Sequence, residues 1–143
     1  MEYIHDCISF QTSAAAKAIA RLSRTRLAPF GVTPIQFAVL QAVSEAKQQT
    51  AADIGTALMI DSATIVGVID RLAAMNLLAR EADPADRRLN RLLLTSQGAE
   101  ALPAMQAGMD DLNAEVDIAL SHSAPNVRES LQQLAALPAR KKA

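Results

Sequence analysis

The stretch Leu77-Leu78-Ala79-Arg80-Glu81-Ala82-Asp83-Pro84-Ala85-Asp86-Arg87-Arg88-Leu89-Asn90-Arg91-Leu92-Leu93-Leu94 interrupts a chain whose apolar residues otherwise recur at helical spacing. Its ends, Leu77 to Ala82 and Asn90 to Leu94, are short strand candidates, and Pro84 with the polar cluster around it marks a hairpin tip. Two short helices lead into it. Thr50 to Asp53 forms a cap pattern that opens the first, with Ile54, Ala57 and Leu58 inward. Met59-Ile60 makes a turn, and Asp61-Ser62 can cap the second, which holds Ile65, Val68, Ile69 and Leu72 at helical spacing. A helix-turn-helix followed directly by a hairpin is a winged helix.

Working outward, Thr33-Pro34-Ile35-Gln36 combines a cap, a proline suited to the first helical position and a glutamine that can reach back to the cap's amide. The helix it opens carries Phe37, Leu40 and Val43 and fades near Ala46. Met1 to Ala28 predicts one long helix with Ile4, Ile8, Ala15, Ile19 and Leu22 on one face, broken by Pro29-Phe30-Gly31. Beyond the hairpin, Thr95 starts a second long helix. Leu102, Met105, Met109, Leu112, Val116 and Leu120 form a heptad-like seam, spaced 3, 4, 3, 4 and 4 apart. Pro103 is expected to bend that helix or break its first turns. After a break at Ser121 to Ala124, a last helix carries Val127, Leu131, Leu134 and Leu137, and Arg140-Lys141-Lys142 reads as a frayed tail.

The composition agrees with one mainly helical domain. The 143 residues are 50% apolar and 20% charged, enough for a packed core and too balanced for disorder. The net charge of -1 excludes a globally basic protein, although the charge is unevenly spread. Lys17, Arg21, Arg24 and Arg26 lie between Cys7 and Ser44 with no acid among them, whereas Glu100, Asp110, Asp111, Glu115 and Asp117 follow one another with no base. Such runs suit solvated faces, and the basic row also suits an anionic ligand. No apolar run has the length of a membrane span and no signal pattern opens the chain, so a cytoplasmic location without membrane contact is expected. The single Cys7 excludes an intrachain disulfide and a Cys-rich zinc site.

The ordered set Thr33-Pro34-Ile35-Gln36, Asp70-Arg71-Leu72, Leu77-Leu78-Ala79-Arg80, Asp83-Pro84-Ala85-Asp86-Arg87-Arg88 and Leu94-Thr95-Ser96-Gln97-Gly98 resembles the MarR-type transcriptional regulators over nearly the whole chain. The resemblance implies a mainly α fold of about six helices plus a two-stranded wing. Residues 1–143 would form one domain, with 33–95 as the winged helix-turn-helix DNA-binding lobe and 1–32 and 96–143 as a dimerisation stalk. It also implies a homodimer on a pseudo-palindromic double-stranded DNA operator, released by a small aromatic acid or its coenzyme A thioester. Ile8, Met109, Leu112, Val116, Leu131 and Leu134 are the expected dimerisation residues. No cofactor is implied.

For contact with DNA, the outward positions of the second helix of the motif are Ser62, Ala63, Thr64, Val66 and Gly67. Many relatives carry Arg or Thr where this chain has Gly67 and Val66. Ser62 and Thr64 suit phosphates or bases and equally suit capping, while Ala63 and Val66 offer only apolar contact with a thymine methyl. Modest direct readout is expected, with shape and wing contacts supplying more. Arg87, Arg88 and Arg91 belong to the wing, and guanidinium groups on a protruding hairpin suit the narrow minor groove of A·T-rich DNA. The resemblance implies that Asp86 orients Arg88, and Asp70 with Arg71 reads as a structural pair.

For the effector, the resemblance points to a cleft where the first, second and fifth helices meet. His5, Phe10, Ser13, Lys17, Arg24 and Phe37 are the expected lining, cations for a carboxylate and rings for an aromatic body, although the two phenylalanines equally suit ordinary core. Cys7 raises a thiol-based redox reading. The sensing position of the peroxide-responsive branch falls at Ser9 instead, and the only tyrosine is Tyr3, so a bystander thiol is the plainer expectation. His5 and His122 lie at opposite ends with no metal-ligand spacing or phosphate loop nearby, so no enzyme is expected. An alternative is a winged-helix dimer acting through a protein partner.

Overall fold

Local capping sets the helix starts. In the computed structural model, which describes residues 2–138, Thr33 Oγ1 accepts from the Gln36 amide at 3.3 Å and Gln36 Oε1 accepts from the Thr33 amide at 2.9 Å. That reciprocal box opens α2 (Pro34–Glu45). A second box between Thr50 and Asp53 opens α3 (Ala51–Ala57), and Asp61 caps α4 (Ser62–Ala74). The chain then forms β1 (Leu78–Ala82) and β2 (Asn90–Leu94), an antiparallel pair in register from Leu78 opposite Leu94 to Ala82 opposite Asn90. Leu77 is left just outside the first strand.

The first helix is shorter than the sequence predicts. A 3-10 turn at Ile4–Asp6 precedes α1 (Ile8–Leu27), and Cys7 is the extended residue between them rather than a helical position. The Asp6 carboxylate accepts from the Tyr3 amide at 3.2 Å, which favours the local turn over a continuous helix. Pro103 does not break α5, which runs from Ser96 to Leu120 without interruption. Pro103 and Ala99, whose carbonyl loses its helical donor, are both exposed, so water can satisfy the carbonyl. A 3-10 turn at Ser121–Ser123 leads into α6 (Ala124–Ala135). The expected tail at Arg140-Lys141-Lys142 lies outside the described residues.

The described residues divide into two compact units between Met109 and Asp110, inside α5 rather than at its start. The first unit holds the core: Leu27 and Val32, Val39 and Leu40 of α2, Ile54 of α3, Ile65, Val68, Ile69 and Leu72 of α4, and Leu78 and Leu92 of the wing. Leu102 and Met105 join this core and Met109 packs against it, so the first part of the predicted seam is buried within the chain itself. The spacing that marks a coiled-coil seam also marks any helix face laid on a core. On α3, Ala57 is exposed and the buried face is Ile54 and Gly55. In the second unit Leu112 and Ala124 are buried and Val116 is half-buried. Ile118, Leu131, Leu134 and Leu137 are exposed apolar residues, as are Ile8, Phe10 and Ile19 of α1 in the first unit. Among the described residues no single helix is long and apolar enough to cross a membrane.

Candidate nucleic-acid interface

The turn before α4 is closed by Asp61, whose carboxylate accepts the Thr64 amide at 2.8 Å and the Thr64 hydroxyl at 2.7 Å. Those two bonds hold the Asp61 carboxyl below its usual value. Thr64, expected to face DNA or to cap, thus has its hydroxyl proton committed to the cap, and of the other outward positions only Ser62 brings a polar side chain. Ser62, Ala63 and Val66 are exposed and Gly67 is half-buried, opposite the predicted inward set Ile65, Val68, Ile69 and Leu72, all of which are buried. Val66 is 46% exposed. A Cβ placed on Gly67 would meet nothing within 4 Å, so no contact inside the chain requires glycine there. Asp70 pairs with Arg80 of β1 rather than with Arg71, fastening α4 to the wing, and Arg71 is exposed.

Two aspartates fold the wing tip. Asp83 Oδ1 accepts from the Ala85 amide at 2.8 Å and Asp86 Oδ1 accepts from the Arg88 amide at 3.0 Å, each a local side-chain turn that hairpin tips favour. Asp86 also accepts from Arg88 Nε at 3.2 Å, as the sequence resemblance implies, while the Arg88 side chain is 91% exposed. Arg87 is exposed beside it. The tip therefore presents two cations in solvent, one with its orientation set by a carboxylate.

Arg91 does something else. Its Nη1 donates to the Gln48 carbonyl at 2.7 Å, its Nη2 pairs with Asp83, and its Nε is buried without a partner among the described residues. The expectation that Arg91 faces DNA is corrected accordingly: the guanidinium is turned inward because the buried Asp83 carboxylate demands a cation. The Ala85 amide, chiefly, and Arg91 lower the Asp83 pKa against the opposing effect of burial. Sequence reading missed the burial of Asp83, because its partner Arg91 comes from the opposite strand of the hairpin and is itself held by the Gln48 carbonyl, 43 residues away.

Of the expected effector residues, His5 and Phe10 meet edge to face with ring centroids 6.0 Å apart. Phe10, Ser13, Lys17 and Arg24 are exposed on α1, and Phe37 is half-buried against the core. None of these six lines the cavity of about 670 Å³ between the end of α2 and the wing, which is bounded instead by Val43, Lys47, Asp83, Arg91 and Leu93 among others.

The sequence profile of the MarR family matches residues 30–89. The HTH-type transcriptional regulator TtmR of Methylorubrum extorquens is 30% identical over 130 residues, 87% of this chain and 67% of that protein. The structure of Bordetella bronchiseptica BpsR, whose DNA binding is regulated by 6-hydroxynicotinic acid, superimposes with a TM-score of 0.88 at 24% identity, covering 96% of this chain and 99% of the other. Rhodococcus jostii CouR bound to p-coumaroyl-CoA superimposes with a TM-score of 0.84 at 22% identity, covering 99% and 100%. The matches span between 54% and 67% of the lengths of the curated relatives.

Proposed function

The chain belongs to the MarR family, and from that premise we propose that it is a transcriptional repressor that binds a pseudo-palindromic double-stranded DNA operator as a homodimer. The observation that carries this reading is the wing tip, where Asp86 orients an almost fully exposed Arg88 beside exposed Arg87. Such a pair inserts into a narrow minor groove, where the negative potential is deepest, while the exposed face of α4 enters the adjacent major groove. Ser62, Ala63, Thr64, Val66 and Gly67 are the contact positions on α4, and with only two polar side chains among them, the Thr64 hydroxyl proton being committed to Asp61, the specificity comes largely from DNA shape and the wing.

Dimerisation through the chain's ends is supported by the exposed apolar residues Ile8, Leu131 and Leu134, which a solitary protomer leaves in water. The effector is a small aromatic acid or its coenzyme A thioester. The ligands of BpsR and CouR support that class, as do Lys17, Arg24 and the phenylalanines of the first unit. Release follows if the ligand binds better to a dimer whose two lobes no longer match successive major grooves, with ~1–3 kcal/mol of coupling.

The test is a mobility shift on the DNA upstream of the chain's own gene, at two salt concentrations, with a panel of aromatic acids and their coenzyme A thioesters. Salt-sensitive, competitor-resistant binding reversed by one compound establishes both repressor and effector. Binding that no compound reverses removes the effector class and keeps the repressor. Absence of specific binding there and on a genomic fragment library overturns the DNA reading.

A further inference from the structure

Arg91 lies on the strand that returns from the wing tip, 43 residues along the chain from Gln48, whose carbonyl accepts from it at 2.7 Å. Its other arm pairs with Asp83 at the root of the tip loop. Two further contacts and a strained turn act at the same place. Arg91 forms an isolated bridge with Thr50, the Leu92 amide donates to the Gln49 carbonyl at 2.8 Å, and Gln48 holds a left-handed φ of 69°. The loop between α2 and α3 is thus stitched to β2, and Arg91 is the side chain that carries the stitch onward to Asp83. Asp83 in turn folds the tip through the Ala85 amide, and its own amide donates to the Leu89 carbonyl at 2.9 Å across the loop.

We infer that Arg91 is a positioning residue for operator recognition, a clamp between the helix-turn-helix and the wing that fixes where Arg87 and Arg88 enter the groove, without touching DNA itself. This deepens the DNA-binding reading above and rests on it. A two-stranded hairpin is marginally ordered alone, so a tip cation inserts productively only if the hairpin's root is held. The fork of a guanidinium spans a carboxylate and a carbonyl at once, and with both Nη atoms engaged and Nε buried it has little left to offer a phosphate. A lysine at this place keeps the charge and loses the span.

The experiment measures affinity for the upstream DNA by mobility shift, using the full chain and its Arg91→Ala, Arg91→Lys and Asp83→Asn variants. Arg91→Ala is also made in a background lacking both tip arginines. Arg91→Ala is expected to weaken binding about tenfold, the scale of one lost specific contact. Arg91→Lys should not restore it, and Arg91→Ala should have no further effect once Arg87 and Arg88 are both alanine. Asp83→Asn removes a negative charge, which by charge counting tightens binding to DNA, but the clamp requires that it weaken. Rescue by lysine, or an equal loss in both backgrounds, makes Arg91 a direct contact and overturns the proposal, as does unchanged affinity.

Hydrogen exchange in the DNA-free protein reads the clamp separately. The Ala85 and Arg88 amides should exchange faster in Arg91→Ala and in Asp83→Asn while those of α4 do not change. If the unmodified chain binds no DNA, the repressor reading falls and hydrogen exchange still decides the clamp. Unaltered exchange at the tip in a folded variant removes it.

Discussion

Gly98, in the first turn of α5, is pressed so closely against the Leu77 carbonyl that a Cβ there would stand 2.1 Å from the oxygen. The same carbonyl accepts from the Thr95 amide at 3.2 Å, and Thr95 Oγ1 accepts from the Gly98 amide at 3.0 Å while donating to the Asn76 carbonyl at 2.6 Å. The end of α4, the start of the wing and the start of α5 are joined there by backbone groups that cannot retreat. Gly98→Ala should therefore destabilise the chain by about 3 kcal/mol, at the upper end of overpacking costs. A urea midpoint lowered at unchanged slope is the expected result; an unshifted midpoint would mean that the backbone yields at this junction.

Gly67 is the opposite case. With open space around its missing Cβ, Gly67→Ala should raise stability by about 1 kcal/mol through helix propensity alone. Because the position lies on the face proposed to meet DNA, the same variant should bind the operator more weakly. A thermal melt and a mobility shift on one preparation test both halves, and a variant more stable yet equal in affinity takes Gly67 out of the interface.

Arg88→Ala should weaken operator binding about tenfold, with dimerisation and folding unchanged, since the side chain is almost wholly in solvent. Asp86→Ala should weaken it too, although it deletes a negative charge, because Arg88 loses its orienting partner. Tighter binding by Asp86→Ala would show that bulk charge outweighs orientation.

The dimer prediction separates two kinds of apolar residue. Leu112 is 3% exposed, so Leu112→Glu buries a charge and should unfold the protein rather than merely separate protomers. Leu131 is 52% exposed, and Leu131→Glu should leave a folded monomer. Sedimentation together with circular dichroism distinguishes the outcomes; a Leu131→Glu dimer as tight as the parent would move the interface elsewhere.

Acid should loosen the wing in a predictable direction. The Asp83 pKa in the folded chain lies below its ordinary value, so its charge contributes stability that is complete above the ordinary carboxylate range. That contribution shrinks as the pH falls below the range and is gone once the pH has passed the lowered folded value. The difference in urea midpoint between the parent and Asp83→Asn should accordingly be largest near neutral pH and vanish in acid. A difference that persists at low pH would assign the effect to packing rather than charge.

Much of this molecule is written in short spans. The boxes at Thr33 and Thr50, the cap at Asp61 and the buried face of α4 are legible in the sequence, and the pairing of Asp86 with Arg88 follows from the family resemblance. Each joins groups within a few residues, where the backbone brings partners together whatever the rest of the chain does. Among the described residues the sequence pattern also located the six α-helices and both strands, though it missed the 3-10 turn at Ile4–Asp6 and could not say what covers a helix face. Leu102 and Met105 turn into their own core instead of toward a partner, because 3-and-4 spacing is the same in both settings. The direction of Arg91 was likewise beyond local reading. Its partners lie 43 and 8 residues away, and only the packed fold brings the Gln48 carbonyl and the Asp83 carboxylate to one guanidinium. The sequence by itself determined the winged helix-turn-helix and its exposed cationic tip. Tertiary structure decided which arginines stay in solvent, since a buried carboxylate claims whichever cation the fold sets beside it.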